Sequence, residues 1–352
     1  MDEIEHALVS KLKERGVEGY VALAHDFFLD CLLPFGELEK FVEWLRGVAE
    51  RGGGNLMVER TELIRGGCAA NTASALASLG VPVVLYGKAS SLGLHLLKKF
   101  FEGLPVELHF TPSEGVGVTV ALEGVYHDRR VNVMITSPGP NADYSLEDID
   151  ERGLKRLRGA RVLMLTSLWG NRRHREFSRG VLRLAREGGV EYNIIDTGDP
   201  VPHGGHVKLL QELTSENLID RLSLNENEAR QYARQILGRE VDDPTECCRL
   251  IHEELGVDVD FHHAHYALSL TDGEEAVAPT YVVDVRRLTG AGDAWNAGNI
   301  YGLMLGLNAK ERLVLANAVA GYYISSEKPE HPDLSRLIRF IERTPLRSLQ
   351  HT

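Results

Sequence analysis

The most informative stretch of the sequence is LTGAGDAWNAG, residues 288–298. It follows a strand-like run, Thr280–Val285, and its glycines open into a helical pattern predicted over Gly290–Leu305. Glycines let a backbone approach a ligand closely, and the first N–H groups of a helix have no acceptor within that helix. Together with the helix dipole, these groups make an anion site suited to the charge that develops on a transferring phosphate.

Asp293 lies in the first turn of this predicted helix. There it is placed to accept a proton from a substrate hydroxyl, and the helix N-terminus favours its ionised form. A weak base is enough for phosphoryl transfer, because that reaction depends mostly on positioning and charge stabilisation. An aspartate at this position also fits a plain helix cap, and the stretch alone does not separate the two interpretations.

A second glycine-rich stretch, RGGCAANTASALASLG, spans residues 65–80. Gly66 and Gly67 again allow a ligand to lie against backbone, and Asn71 offers both a donor and an acceptor to sugar hydroxyls. The alanines predict a tightly packed helix over Ala69–Leu79. Tight packing explains the alanines but does not explain the paired glycines followed by an asparagine.

Short apolar runs alternate with amphipathic stretches along most of the chain. The predicted strands are Tyr20–Ala24, Val81–Tyr86, Arg161–Thr166, Tyr192–Asp196, Arg221–Leu224 and Ala267–Leu270. Further predicted helices are Leu92–Phe101, His174–Glu187, Val207–Leu213, Glu226–Leu237, Pro244–Leu255 and Lys310–Tyr323. This alternation predicts an α/β fold, a three-layer sandwich with a largely parallel central sheet, in which ligands bind at the carboxyl ends of the strands.

Two regions, residues 25–66 and 115–136, interrupt the alternation. The first contains a helical insert, Glu37–Glu50, and then NLMVERTELI, which alternates like a strand. The second reads as a β-hairpin. Both suit strands that project from the main sheet as a small β lid, so we expect one domain over residues 1–352 that begins with a helical leader, residues 1–19.

The composition excludes several classes of partner. The chain has 352 residues and a net charge of −12, which repels nucleic acid and anionic membrane. No stretch suits a signal peptide or a bilayer span. The four cysteines form no C-x-x-C pair, so a disulfide framework or zinc site is not expected and a cytoplasmic location fits.

Taken together, the motifs resemble the ribokinase-like (PfkB) carbohydrate kinase family. The resemblance rests on G-G-x-x-x-N-x-A-x-x-L-A-x-L-G early in the chain and T-G-A-G-D-x-x-x-A-G late, in the family's order and separation. Asn225 and Glu228, after the strand-like RLSL, match the family's N-x-x-E motif, although a helix N-cap with acidic first-turn residues explains them too. The layout agrees over nearly the whole chain.

The resemblance implies roles residue by residue. It makes Asp293 the catalytic base of a kinase acting on a small sugar or nucleoside, with ATP or ADP as donor and Mg²⁺ as cofactor. The implied anion hole is Gly290, Ala291 and Gly292, and the implied sugar pocket is Gly66, Gly67 and Asn71. Of two aspartates near the end of the first strand, Asp30 is favoured over Asp26 for binding substrate hydroxyls. Implied contacts with the nucleotide and magnesium are Asn225, Glu228 (to magnesium through water), Thr289 and Asn317.

The chain departs from the family pattern at several places. Arg287 and Leu288 stand where the family has Asp-Thr, so an acidic neighbour of the loop has become basic. Residues 87–93 lack the family's aspartate, and TDGEEA stands where a glycine-rich nucleotide loop is common. The helical insert is not standard in ribokinases either. These departures leave the substrate open.

Four basic residues are candidates for binding a phosphate already carried by the substrate: Arg129, Arg130, Lys88 and Arg65. A sugar phosphate such as a pentose 1-phosphate would then be the acceptor. The alternative is that Arg129 and Arg130 lie on a solvated hairpin turn. The GAGDAWNAGNI segment is similar to archaeal kinases of this family, some of which use ADP.

The sequence disfavours three other interpretations: a metal site, a dehydrogenase and a sensor without turnover. The cluster of His262, His263 and His265 lacks a spaced set of further ligands, so metal binding there is disfavoured. A Rossmann dehydrogenase would need a G-x-G-x-x-G loop after the first strand. A sugar or nucleotide sensor without turnover would not need Asp293 and its glycines. The apolar FFLDCLLPF, residues 27–35, is compatible with a homodimer through the lid.

Overall fold

A nine-stranded sheet forms the centre of the protein in the computed structural model, which describes residues 3–200 and 206–348. Numbered along the chain, its strands are β1 (Val21–Ala24), β4 (Val83–Ala89), β5 (Val106–Pro112), β8 (Val162–Thr166), β9 (Tyr192–Asp196), β10 (Arg221–Asn225), β11 (Asp258–His262), β12 (Tyr266–Thr271) and β13 (Glu274–Pro279). Their spatial order is β13-β12-β11-β10-β9-β8-β1-β4-β5, and all neighbours from β11 to β5 are parallel. The last two strands, β12 and β13, are antiparallel.

Helices cover both faces of this sheet. The α-helices of the described residues are α1 (Glu3–Glu14), α2 (Leu38–Glu50), α3 (Cys68–Ser78), α4 (Ser91–Phe100), α5 (Glu151–Arg158), α6 (His174–Gly188), α7 (His206–Ser215), α8 (Glu226–Leu237), α9 (Pro244–Leu255), α10 (Ala291–Met304), α11 (Ala309–Ser325) and α12 (Leu334–Arg343). Of these, α2 lies away from the nine-stranded sheet. Along β1, Val21 and Leu23 join the core under α1, α3, α10 and α11, whereas Ala22 and Ala24 join the core under α5–α9. Because successive side chains point to opposite faces, a parallel strand covered on both sides must be apolar throughout. The predicted three-layer fold is confirmed.

A separate four-stranded sheet, called here the small sheet, comes from the two regions that interrupt the alternation. Its strands are β2 (Phe28–Glu37), β3 (Glu62–Gly66), β6 (Gly117–Tyr126) and β7 (Arg129–Ser137), in the order β3-β2-β6-β7. His127 and Asp128 turn the β6–β7 hairpin with positive φ at both residues, as a tight two-residue turn requires. Of the strand predicted over NLMVERTELI, only the segment from Glu62 onward is a strand.

Two other sequence predictions need correction. The run Thr280–Val285 is not a strand, since its only pairing in the described residues is an isolated bridge between Tyr281 and Leu346. Strand β11 was missed because Asp258 and Asp260 interrupt its apolar pattern. Asp260 is tolerated in the core because Arg312 Nη1 lies 2.9 Å from its carboxylate. The elements α5, β5, β13 and α12 were also not predicted.

Helices α3, α10 and α11 pack with small residues at their contacts. Both α3 and α10 are buried nearly all round, which is typical of a helix inside a core. An added Cβ at Gly298 of α10 would lie 2.7 Å from Ala316 Cα of α11, so the helices touch at this glycine. Apolar as these helices are, none in residues 3–200 and 206–348 has both the length and the apolar character to cross a bilayer.

We expect Gly298→Ala to lower the free energy of unfolding by about 1–3 kcal/mol, because backbone atoms of α11 occupy the space that the methyl group needs. The matched control is Gly47→Ala in α2, where an added Cβ would meet nothing within 4 Å. That change should raise stability by up to about 1 kcal/mol, since alanine favours helix over glycine. Urea denaturation measures both, and a Gly298→Ala protein as stable as the wild type would contradict the close contact.

Candidate active site

Two cavities adjoin at the carboxyl ends of the parallel strands. The inner cavity, about 690 Å³, is lined by Asp30, Asn71 and Asp293 together with residues of the small sheet. The outer cavity, about 760 Å³, is lined by Trp295, Asn317 and an apolar wall. Four residues line both cavities and mark where they meet: Asn225, His262, Leu288 and Ala291. A ligand in one cavity therefore lies next to a ligand in the other.

Asp293 is buried in the wall of the inner cavity, in the first turn of α10. Its Oδ2 accepts a hydrogen bond of 2.9 Å from Asn71 Nδ2. Burial raises the pKa of Asp293 to about 7, the Asn71 hydrogen bond lowers that pKa, and the nearby Asp196 and Asp26 raise it. A carboxylate whose pKa lies near 7 is a stronger base than an ordinary aspartate, so it is a better proton acceptor.

The loop before α10 presents free backbone donors. Gly290 precedes the helix with a left-handed φ of 83°, a conformation that favours glycine, and an added Cβ would lie 2.8 Å from Tyr323 Oη. Ala291 N donates to Leu288 O, but in the described residues the N–H groups of Gly292 and Asp293 have no acceptor. These donors at a helix N-terminus can bind an anion where the cavities meet.

The two aspartates after the first strand have different surroundings. Asp26 accepts from Cys68 N at 2.9 Å, Ala69 N at 2.7 Å and Thr166 Oγ1 at 2.8 Å, so its carboxylate braces the start of α3. Asp30 lies on β2, and its Oδ1 has no hydrogen-bond partner within the described part of the chain. Burial raises the pKa of Asp30 to about 6, against the lowering effect of the Thr119 hydroxyl.

Gly66 and Gly67 link β3 to α3 at the floor of the inner cavity. A Cβ at Gly66 would lie 1.9 Å from Asp30 Oδ1, so the absence of a side chain is what leaves room for that carboxylate. Gly67 and Asn71 line the cavity directly. The early glycine-rich motif and Asp30 therefore form one surface beside Asp293.

Asp196 is a site residue that the sequence analysis missed. It ends β9 at the carboxyl edge, which was the available signal, and Asn296 Nδ2 donates to its Oδ2 at 2.6 Å. Burial raises the pKa of Asp196 to about 6. Burial and the charge of Asp196 hold the pKa of Glu228 well above its ordinary value. Asn225 and Glu228 also cap each other at the start of α8, with two hydrogen bonds of 3.0 Å.

The outer cavity contains the predicted Asn317 on α11. Its Oδ1 accepts from Trp295 Nε1 at 2.9 Å, and its Nδ2 donates to Pro279 O at 2.9 Å. His262, His263 and His265 also line this cavity, whereas the turn after Thr271 lines neither cavity in the described residues. In residues 3–200 and 206–348 no group of three or more His, Cys, Asp or Glu side chains is arranged to hold a metal ion.

The four basic candidates for a substrate phosphate lie outside the lining of the inner cavity. Arg129 and Arg130 are exposed on the hairpin, as in the alternative interpretation, and Arg130 Nη1 donates to Arg286 O at 3.2 Å. Lys88 pairs with Asp148 at 2.8 Å. Arg65 lies behind the cavity wall, where Nε donates to Asn71 Oδ1 at 3.3 Å.

Thr289 precedes Gly290, Ala291 and Gly292, called here the anion loop, and links this loop to the small sheet. Its Oγ1 accepts from Asn132 Nδ2 of β7 at 2.6 Å and donates to Glu123 Oε1 of β6 at 2.8 Å. Neither Glu123 nor Asn132 was identified from the sequence, because each acquires its role through a contact with a residue more than 150 positions away. The position of the small sheet is therefore coupled to the anion loop.

Comparison with known proteins places this geometry in a family. The sequence profile of pfkB family carbohydrate kinases matches residues 36–335. A sequence comparison with curated proteins finds no match.

Solved kinase structures share the fold across almost the whole chain. A ribokinase from Arabidopsis thaliana, solved with ribose and ATP, is 18% identical with a TM-score of 0.69, covering 92% of this chain and 99% of that one. A Thermotoga maritima ribokinase is 20% identical with a TM-score of 0.72, covering 93% and 100%. An adenosine kinase from Sinorhizobium meliloti is 19% identical with a TM-score of 0.72, covering 92% and 99%. At these identities the likeness establishes the ribokinase-like fold.

We expect Thr289→Val to release the small sheet, because valine keeps the shape of threonine but loses both hydrogen bonds. Amide hydrogen exchange over residues 117–137 should become faster by about tenfold, the equivalent of one to two net hydrogen bonds. Thr289→Ser keeps the hydroxyl and should exchange like the wild type. Unchanged exchange in Thr289→Val would mean that these bonds do not hold the sheet.

Substitution of the two aspartates should separate a structural role from a free one. Asp26→Asn turns an NH₂ group towards a backbone N–H, so we expect a loss of about 1–3 kcal/mol in unfolding free energy. Asp30→Asn removes a carboxylate whose folded pKa is raised, so wild-type stability should fall relative to this variant as pH rises through about 6. Denaturant curves between pH 4 and 8 measure both, and equal effects of the two substitutions would contradict the distinction.

Proposed function

Because the chain belongs to the pfkB family of carbohydrate kinases, we propose that it transfers a phosphoryl group from ATP or ADP to a hydroxyl group of a small sugar, sugar phosphate or nucleoside. The observation that carries this proposal is the position of Asp293. It is a buried carboxylate with a pKa raised to about 7, beside the line where the two cavities meet. An acceptor hydroxyl in the inner cavity and a donor phosphate in the outer cavity would approach each other there.

In this proposal the acceptor occupies the inner cavity. Asp30, with its unpaired Oδ1, and Asn71 bind its hydroxyl groups. Gly67 lets the ring lie against backbone, and Gly66 leaves the space that the Asp30 carboxylate occupies. Asp293 takes the proton of the attacking hydroxyl as the oxygen bonds to phosphorus. Because Oδ2 of Asp293 is held by Asn71, we assign the proton to Oδ1.

The nucleotide occupies the outer cavity, with its terminal phosphate at Gly290, Ala291 and Gly292. The free N–H groups at the start of α10 stabilise the negative charge on the transferring group, and they need no reorganisation at the moment of reaction. The apolar wall and Trp295 suit the face of a purine base, and Asn317 lies at the edge of that wall. This lining selects for the base of the nucleotide and not for the number of its phosphates, so the proposed donor is ATP or ADP.

Magnesium is the cofactor that the family implies, and the residues present fit it. Asp196 and Glu228 are buried acids whose pKa values are raised, in Glu228 partly by the charge of Asp196. A cation held between them through water and nucleotide phosphates would relieve that repulsion, and Mg²⁺ usually keeps several waters. In this proposal Asn225, Glu228 and Asp196 would hold the hydrated ion, and the chemistry that it would supply is neutralisation of charge on the donor phosphates.

The proposal also covers the location of the protein and its oligomeric state. The four cysteines are free thiols, which supports a cytoplasmic location. A homodimer through the small sheet is supported by apolar side chains that β7 leaves exposed, among them Met134 and Ile135, which are 51% and 61% exposed.

The test is a panel assay. Purified protein is incubated with magnesium, ATP or ADP, and pentoses, hexoses, inositols, nucleosides and sugar phosphates. We expect turnover on one acceptor class, and loss of at least about a hundredfold in kcat for Asp293→Asn, since a positioned base contributes factors of this size. Asp284→Asn, an exposed aspartate on the same approach to the loop, is the matched control and should be fully active.

The pH dependence adds a second readout. Since Asp293 must be ionised to accept a proton, kcat/KM should fall as pH drops through about 7. If no acceptor turns over while ligands raise the melting temperature equally in wild type and Asp293→Asn, the chain is a sensor and the kinase proposal fails.

A further inference from the structure

A chain of hydrogen bonds leads from Asp293 into the protein behind the cavity wall. Asn71 Nδ2 donates to Asp293 Oδ2 at 2.9 Å, and Asn71 Oδ1 accepts from Arg65 Nε at 3.3 Å. Arg65 Nη2 lies 3.3 Å from His331 Nε2. His331 in turn stacks on Tyr323, with ring centroids 4.6 Å apart and planes within 15°. The chain links β3, α3, α10 and the segment between α11 and α12.

The protonation states along this chain are determined by its chemistry. A guanidinium has donors only, so Nε2 of His331 must be the acceptor and the ring must be neutral. Burial and the neighbouring Arg65 hold the pKa of His331 well below its ordinary value, in agreement with that assignment. Arg65 has no carboxylate partner within ion-pair distance in the described residues, and its guanidinium lies 5.7 Å from the Phe101 ring centroid. Its hydrogen bonds are therefore what hold it.

We propose that Arg65, held by His331, is a positioning residue that fixes the side-chain amide of Asn71 so that its NH₂ group faces Asp293. Because the Arg65 Nε–H can only donate, it requires the oxygen of the Asn71 amide on its side. The NH₂ group must then point towards Asp293. This inference rests on the proposed function, because it assigns a role in preparing the base of that reaction.

The orientation matters because an amide can flip. A reversed Asn71 would present its oxygen to the Asp293 carboxylate, and two acceptors face to face repel each other. With the amide fixed, one carboxylate oxygen is held and the other is left to take the substrate proton. Arg65 lines neither cavity in the described residues, so it acts through Asn71 and not by touching the substrate.

Other groups act on Asp293 too, and the test must separate them from Arg65. The titratable or charged groups facing it are Asp26, Asp196, Cys68, Arg65 and Tyr323. Only Arg65 reaches Asp293 through the Asn71 amide. A double-mutant cycle between Arg65 and Asn71 therefore isolates the proposed route, because residues that act as one unit give non-additive effects.

The experiment compares wild type, Arg65→Met, Asn71→Ala and the double variant, using the acceptor and donor identified by the panel assay. We expect Arg65→Met to lower kcat between about tenfold and a hundredfold, the cost of misplacing a reacting group. Its acid limb should move to higher pH, because Asp293 loses a donor that favours its ionised form. In the Asn71→Ala background, Arg65→Met should have no further effect on either quantity.

Three further variants sharpen the result. Arg65→Lys keeps the charge but has one ammonium in place of the fork, so it should recover only part of the lost rate. His331→Gln keeps an acceptor for Arg65 and should be more active than His331→Leu, and this pair carries the test if Arg65→Met does not fold. Arg249→Met removes an exposed arginine that pairs with Glu275 on the far strand β13, and it should leave the kinetics unchanged.

A readout without substrate keeps this inference separate from the proposed function. The pH dependence of unfolding free energy, compared with an Asp293→Asn counterpart of each variant, reports the pKa of Asp293. That pKa should rise in Arg65→Met and should be the same in the double variant as in Asn71→Ala, even if no acceptor is ever turned over. Additive effects of Arg65→Met and Asn71→Ala, or an unchanged pKa and kcat in Arg65→Met, would overturn the inference.

Discussion

The hydrogen bond between Asn71 and Asp293 is the contact on which the rest of the site depends. It joins residues 222 positions apart and brings the first turns of α3 and α10 side by side. The amide nitrogen of Asn71 and a carboxylate oxygen of Asp293 can meet only if the two helices pack closely, and the alanines of α3 make that approach possible. Asp26 then fixes the start of α3, and Gly290 fixes the start of α10. The two glycine-rich motifs are therefore halves of a single structure.

The acids around this contact differ from Asp260, a buried acid of the core that pairs with two arginines. Asp260 is as deeply buried as Asp293, yet Arg312 and Arg221 hold its pKa well below the ordinary value, despite the opposing effect of burial. Asp196, Asp293 and Glu228 have no arginine within ion-pair distance in the described residues, and burial raises their pKa values. The fold thus neutralises a structural acid with its own cations and leaves the site acids for a ligand. Such unbalanced charge is typical of functional sites.

Much of the fold and part of the site followed from the sequence alone. The parallel strands β1, β4, β8, β9 and β10 were predictable because both of their faces are covered and their apolar runs are continuous. Asp293, Asn71 and the glycines stand in motifs with fixed spacing. Strand β11 was not predictable, because its sequence contains two aspartates. Asp260 can be buried only because Arg312, a residue of the distant helix α11, neutralises its charge. Glu123, Asn132, Arg65 and His331 carry no local signal, since each is defined by a contact with a distant part of the chain.

The small sheet does more than cover the inner cavity, because its strands contribute to both the acceptor side and the donor side of the proposed reaction. Asp30 on β2 faces the acceptor position, while Glu123 on β6 and Asn132 on β7 bind Thr289 beside the anion loop. Since β2 and β6 are hydrogen-bonded neighbours, the small sheet cannot move away from Thr289 without carrying Asp30 with it. Binding of an acceptor at Asp30 would therefore stabilise the same arrangement that holds the anion loop, so the acceptor and donor sites should be occupied cooperatively. This coupling requires only that the four strands of the small sheet move together.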